Sequence, residues 1–213
     1  MFVKGIMIPK HHCVITNSQE SLHNVLDRLI SKDIEAVPVV DDDEKFVGMI
    51  TKQMIFQAFF EDGNGSSKQE FLQSKKVSDI VDHEDFHITE EDVFESTLTT
   101  FKGFPILAVI DHNQYFHGIV SRYDVLEQFE SAFGMKKQGV RIAFSSIEAE
   151  GRISRLADLI KNFHGNIISL ATFDETDKLA RRIVLKIEKH EQIGKFTKKL
   201  EKAGFRVLDV KEI

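Results

Sequence analysis

Apolar residues at Leu22, Val25, Leu26, Leu29 and Ile30 recur at the spacing of one helical face, and the run Val37-Pro38-Val39-Val40 follows before the acidic turn Asp41-Asp42-Asp43. The first pattern predicts an amphipathic helix, the second a buried strand closed by a turn. A short strand over 13–16 opens the unit, and a strand over 46–50 and a helix carrying Met54, Ile55, Ala58 and Phe59 complete it. The order then returns, with strands over 86–89, 106–110 and 115–120, a turn over 111–113, and helices over 93–101 and 122–133. Asp41 matches Asp111, Gly48 matches Gly118 and Thr51 matches Ser121, each pair 70 positions apart. The chain therefore contains an internal repeat of βαββα form. A unit this small cannot cover both faces of its own sheet, so the two copies are expected to pack sheet against sheet as one module. Between them, residues 61–67 are rich in turn formers and poor in apolar residues, which predicts an exposed connection.

From Gly139 onward the pattern changes. A strand over 140–145 leads through Glu150-Gly151-Arg152 into a helix with Ile153, Leu156, Ala157 and Ile160 on one face. Strands over 167–173, 181–187 and 205–210 and a helix over 193–200 follow, with Gly204 as that helix's stop. This is the βαββαβ order of a ferredoxin-like split unit. The expected organisation is α+β: a first repeat over 1–60, a linker over 61–76, a second repeat over 77–134 and a third domain over 139–213.

Composition narrows the functional classes. Lys and Arg number 28 against 34 Asp and Glu, a formal charge of -6 that argues against a broad basic face for nucleic acid. The amino-terminal stretch lacks the apolar run of a signal peptide, and the longest apolar runs, such as 106–110, are strand-sized rather than membrane-spanning. The expectation is a cytoplasmic protein with no membrane association. His11-His12-Cys13, with His23 nearby, has no second ligand cluster at zinc-like spacing, so no metal is expected. Cys13, the only cysteine, sits on a short strand with neither base nor oxyanion site in the pattern, which favours packing over nucleophilic chemistry. No Walker motif, zincin pair or Gly-x-Ser-x-Gly elbow is present, and no catalytic residue is assigned.

The chemistry gathers at Gly118-x-x-Ser121-x-x-Asp124. A strand ends and a helix begins at Ser121, so free backbone N–H groups and a hydroxyl face one point, an arrangement that receives anions. Asp124 returns a carboxylate to the same mouth, where it can accept from both hydroxyls of a ribose, and Arg122 can reach a phosphate with a planar donor. A diol acceptor beside phosphate donors implies a nucleotide. The same Ser-x-x-Asp pattern is also a helix cap, and the two roles are compatible. In the first repeat the motif reads Gly48-Met49-Ile50-Thr51-Lys52-Gln53-Met54, with a thioether where Asp124 stands, so a mononucleotide is expected to prefer the Asp124 cleft.

Val37-Pro38-Val39-Val40-Asp41, Gly48-Met49-Ile50-Thr51 and Gly118-Ile119-Val120-Ser121-Arg122-Tyr123-Asp124 together resemble a tandem pair of CBS domains, and the 139–213 segment resembles an ACT domain. The whole arrangement resembles the AcuB-type proteins of acetoin utilisation and the CBS-type cyclic di-AMP receptors. The resemblance implies a regulatory sensor in which an adenine lies against Ile34, Glu35, Ala36 and Val37, near His12 and Thr16, with Ile119 below. It implies a degenerate second cleft at Met49, Thr51 and Phe104, and an ACT ligand turn at Glu148, Gly151 and Ile153. That turn has Glu148-Ala149-Glu150-Gly151 where the family often shows Asp-x-Pro-Gly, so a purely dimerising ACT domain is also implied. Cyclic di-AMP is the first ligand expected. The alternatives are AMP, ATP or S-adenosylmethionine with an amino acid on the ACT domain, or a nucleotide-independent scaffold linked to acetoin metabolism. Phe56, Phe59, Phe60, Phe129 and Phe133 fall on the last helix of each repeat, the helices through which such modules pair, so a homodimer with an unidentified protein partner is expected.

Overall fold

A computed structural model describes residues 1–63, 65–83, 86–147, 149–175 and 180–213, with the side chain of residue 175 outside the description. In chain order the elements are β1 (Ile8–Pro9), β2 (Thr16–Asn17), α1 (Leu22–Ser31), β3 (Ala36–Val40), β4 (Phe46–Thr51), α2 (Lys52–Glu61) and α3 (Lys68–Ser74). They continue with β5 (His87–Thr89), α4 (Thr97–Thr100), β6 (Ile106–Ile110), β7 (Phe116–Ser121) and α5 (Arg122–Ala132). The remainder is β8 (Val140–Ile147), α6 (Arg152–Phe163), β9 (Ile167–Glu175), β10 (Ala180–Ile187), α7 (Ile193–Lys202) and β11 (Arg206–Glu212). The fold class is α+β. The chain divides into two units, Met1–Leu126 and Glu127–Ile213, the division falling within α5.

In the first unit each repeat builds its own sheet, β2-β3-β4 and β1-β7-β6-β5. The strand β1 belongs to the first repeat in sequence yet pairs with β7 of the second, Ile8 opposite Ile119 and Pro9 opposite Gly118. Reciprocally, Asp82 crosses to bridge Met49, with both N–H···O distances at 3.0 Å. This exchange explains the repeat's glycines. A Cβ at Gly48 would lie 2.2 Å from the carbonyl oxygen of Asp82, and one at Gly118 would lie 2.2 Å from that of Ile8. Both positions need glycine because foreign backbone passes over them. The two acidic turns also meet: Lys45 bridges Tyr115, and the N–H groups of Phe46 and Phe116 donate to the carbonyls of Gln114 and Glu44.

The connection between the repeats is more structured than its composition suggests. Within the 61–76 stretch expected to be a linker, α3 starts with a capping box between Ser67 and Glu70 and buries Phe71 and Leu72 against the α1 face of Leu22, Val25 and Leu29. Two large apolar residues suffice because their partners lie far away in sequence. The first helix of the second repeat, expected over 93–101, is instead a 3-10 turn at Phe94–Ser96 followed by the single turn α4. Thr99 and Thr100 both return their hydroxyls to the Ser96 carbonyl, the local bonding by which threonines compete with helix propagation.

The second unit is a four-stranded antiparallel sheet of order β11-β8-β10-β9, with α6 and α7 on one face. Its core joins Ile142, Phe144, Leu156, Leu185, Phe196 and Phe205. The Arg152 guanidinium lies 4.2 Å from the Phe205 ring centre and donates to the carbonyls of Ala203 and Gly204 at 3.2 and 2.7 Å, tying α6 to the end of α7.

Candidate functional site

β7 carries the chain to Ser121, and α5 begins at Arg122. There the Ser121 N–H donates to Asp124 Oδ2 at 3.3 Å, the Asp124 N–H donates to Ser121 Oγ at 3.1 Å, and the Ser121 hydroxyl donates to the same carboxylate oxygen. The sequence allowed a cap or a ligand constellation; the geometry is a reciprocal capping box. A carboxylate offers about four acceptor positions, so the cap leaves the group able to take further donors. Arg122 is exposed, and its guanidinium lies 5.5 Å from the centre of the Phe101 ring; its backbone N–H donates to the Pro105 carbonyl at 2.9 Å.

The residues expected to hold the base fare unequally. Ile34 is half-buried, Ile119 is half-buried on β7, and Ala36 is buried at 6% exposure. Val37 does not offer an apolar face to a ligand: it is 1% exposed and packs in the first repeat's core with Leu26 and Ile50. Strand alternation is the reason, since side chains of Val37 and Val39 both turn to the helices. The Glu35 carboxylate meets Lys52 at 3.0 Å, and Glu35 lines the cleft around Thr51. Thr16 is buried and donates its hydroxyl to Glu20 at 2.7 Å, while Glu20 also pairs with Arg28. His12 is exposed with its ring 4.1 Å from that of His11.

The opposite cleft, around Thr51, has a volume of about 460 Å³. Thr51 Oγ1 accepts from the Met54 N–H at 3.0 Å, the single-sided counterpart of the Ser121 box. Phe104 lines this cleft, stacked on Phe86 with ring centres 3.6 Å apart, as do Thr51 and Met54. Met49 does not: it is fully buried, and its backbone is spent on Asp82. Asp82, Gln53, Gln57 and Lys102 line the cleft as well. None of the four was singled out from sequence. Asp82 lies outside the matched motif, and only the crossing of its segment to β4 brings it there.

In the second unit a cavity of about 420 Å³ is lined by Ser146, Glu150, Arg152, Ile153 and Arg181. Gly151 holds a φ of +77° there with open space around it, so it serves the turn. Glu148 lies outside the described residues. Arg152 is committed to structure, its Nε donating to Ser146 Oγ at 2.7 Å, and Arg181 pairs with Asp174 at 3.0 Å. Burial pushes the Cys13 thiol up to about 11, only partly offset by a backbone hydrogen bond from Ile119, so the thiol stays protonated and packs. Among the described residues no group of three His, Cys, Asp or Glu could hold a metal ion, and no helix is long and apolar enough to cross a membrane.

Comparison with known proteins bears on both units. Residues 3–61 match the CBS domain family, and residues 138–211 match the TTHA0829-like ACT domain family. A CBS domain-containing protein of unknown function from Bacillus anthracis is 25% identical, with 61% of this chain and 93% of that chain covered and a TM-score of 0.56. CbpB from Listeria monocytogenes is 27% identical over 58% of this chain and 95% of its own, at a TM-score of 0.51. A CbpB solved in complex with c-di-AMP is 23% identical over 62% of this chain and 85% of its own, at 0.53. With two family matches falling on the two kinds of unit that the topology separates, the chain is a CBS-domain protein with a C-terminal TTHA0829-like ACT domain.

Proposed function

We propose that this chain is a non-catalytic regulatory sensor that binds an adenine nucleotide, cyclic di-AMP foremost, at the Ser121–Asp124 box of its CBS pair. The observation that carries the reading is the pairing of a helix N-terminus with a carboxylate at one point of β7 and α5. On binding, Asp124 keeps its bond to Ser121 and accepts from the ribose with its remaining lone pairs, while the Arg122 guanidinium receives a phosphate and the Arg122 and Asp124 N–H groups stay with Pro105 and Ser121. Arg122 reaches it by leaving Phe101, an exchange that needs only rotamer changes in an exposed side chain. Ile34 and Ile119 supply the apolar contacts to the base. That a CbpB binds c-di-AMP supports the choice of ligand.

The Thr51 cleft is a second, weaker nucleotide position, favoured by its volume and by Asp82, which brings a carboxylate to the cleft whose helix has Met54. In the alternative sensor of AMP, ATP or S-adenosylmethionine, the cavity beside Arg152 takes an amino acid. The working assembly is a homodimer formed through α2 and α5, where Phe60 is 83% and Tyr123 75% exposed. Occupancy then shifts the population of states that a protein partner reads.

Isothermal calorimetry with cyclic di-AMP, AMP, ATP and S-adenosylmethionine tests the reading. Saturable binding of an adenine nucleotide that Asp124→Ala weakens by roughly ten- to a hundredfold is expected, at about 1.4 kcal/mol per decade. Binding that Asp124→Ala leaves unchanged removes the site assignment, and no binding by any of the four leaves the scaffold reading.

A further inference from the structure

On the sheet face opposite α6 and α7, where side chains usually meet water, Lys186 is 3% and Ser169 9% exposed. The two are register partners on β10 and β9. Neither belongs to the apolar core, whose residues on β10 are Ile183, Leu185 and Ile187. Both point instead at the end of α5: Ser169 Oγ donates to the Phe133 carbonyl and Lys186 Nζ to the Gly134 carbonyl, each at 3.0 Å. The Phe133 carbonyl, next after Ala132, is one that a helix end leaves without an intrahelical partner, and the Gly134 carbonyl beyond it accepts from the Lys137 N–H at 3.1 Å as well as from Lys186; both lie at the negative end of the helix dipole, which suits a buried ammonium.

The clamp has further parts. Gly134 ends the helix with a φ of +62°, and a Cβ on it would lie 2.3 Å from Ile168 Cγ2. The Met135 N–H closes back on Glu130 and the Phe133 ring stacks on Phe173, 7° from parallel. The same helix, uninterrupted over Arg122–Ala132, has Asp124 in its first turn.

We infer that Lys186 and Ser169 are positioning residues: by fixing the C-terminal end of α5 to the ACT sheet, they make that helix the element through which the Ser121–Asp124 box and the ACT sheet respond to one another. The nucleotide half of this statement rests on the proposed function; the mechanical half does not. A helix of this length behaves as a short rod because each turn is hydrogen-bonded to the next. A ligand that prefers one setting of its first turn must then favour one setting of its last, and the coupling is reciprocal.

Hydrogen exchange on the full chain decides it in two arms. Without ligand, Lys186→Met is expected to speed exchange of the α5 amides at least tenfold as far back as Val125, Ser169→Ala to do so more weakly, and neither to change α1 or α7. Acceleration confined to residues after Phe133, or none in either variant, overturns the inference. With cyclic di-AMP at saturation, the unaltered chain is expected to slow exchange in β9 and β10, and Lys186→Met to lose that slowing while its affinity stays within threefold. Binding with no response in β9 and β10 also overturns it. If the unaltered chain binds no cyclic di-AMP, the ligand reading falls, and the first arm alone decides the clamp.

Discussion

At the scale of residues, the matched glycines of the two repeats answer to the same packing demand. Gly48 and Gly118 looked like parts of a ligand motif, and the 70-residue repeat made them conspicuous. Their reason for being glycine is the backbone lying over them. Replacing either by alanine forces that backbone away and is expected to destabilise the chain by about 2 kcal/mol or more, measured by urea unfolding, because a packed carbonyl cannot yield as a side-chain tip can. Asp124 was legible as a carboxylate aimed at a helix mouth; that it is shared with Ser121 was legible only as an alternative. The burial of the Val37 side chain was not legible, because a buried strand shows the same apolar run on both faces and nothing in such a run says which side chains meet helices. Cys13 gives a pH prediction with a definite sign. Its thiol is held up to about 11 by burial, so the protonated form is favoured in the folded chain. Its stabilising contribution is complete below the unfolded thiol value, about 8.5, and is lost as pH rises through the folded one. Alkylation by iodoacetamide at pH 8 is expected to be at least tenfold slower than in urea, and to accelerate toward pH 11; equal rates at pH 8 contradict the burial.

At the scale of elements, the periodic segments were read most securely. The α1 face and the six elements of the ACT domain follow from spacing alone, since an apolar stripe at helical period can be buried in only one way. The short, polar α3 was not visible as a core element. Its seven residues carry a capping box, Ser67 with Glu70, whose signature stood in the sequence, yet only two of its side chains are buried deeply. Phe71→Ala is expected to cost about 3–4 kcal/mol and Ser67→Ala about 1 kcal/mol, and chemical denaturation should separate the two. A linker without structural weight would show neither effect. The truncated α4 illustrates the converse, because helical spacing over 93–101 is present but four hydroxyl residues within 96–100 divert the backbone bonding.

At the scale of the molecule, the exchange of β1 and of the Asp82 segment between repeats turns two similar sequences into two dissimilar clefts. One has its carboxylate on a helix, Asp124; the other has Asp82 on the incoming segment and Met54 on the helix. Thermal unfolding with cyclic di-AMP is expected to show stabilisation of about 2.7 kcal/mol at 100 times the dissociation constant, reduced to about 0.4–1.4 kcal/mol in Asp124→Ala at the same ligand concentration and little changed in Asp82→Ala. The opposite ranking would move the principal site to the Thr51 cleft. The sequence by itself determined the repeat, the α+β class, the ACT order and the inequality of the two motifs, because these rest on periodicity and on residue identity at matched positions. Tertiary structure alone decided which segment crosses to which sheet, why the motif glycines cannot be anything else, and where Asp82, Ser169 and Lys186 come to lie. Those are encounters between residues distant along the chain, set by how two small sheets and a helix end bury their remaining surfaces, and local pattern carries no record of them.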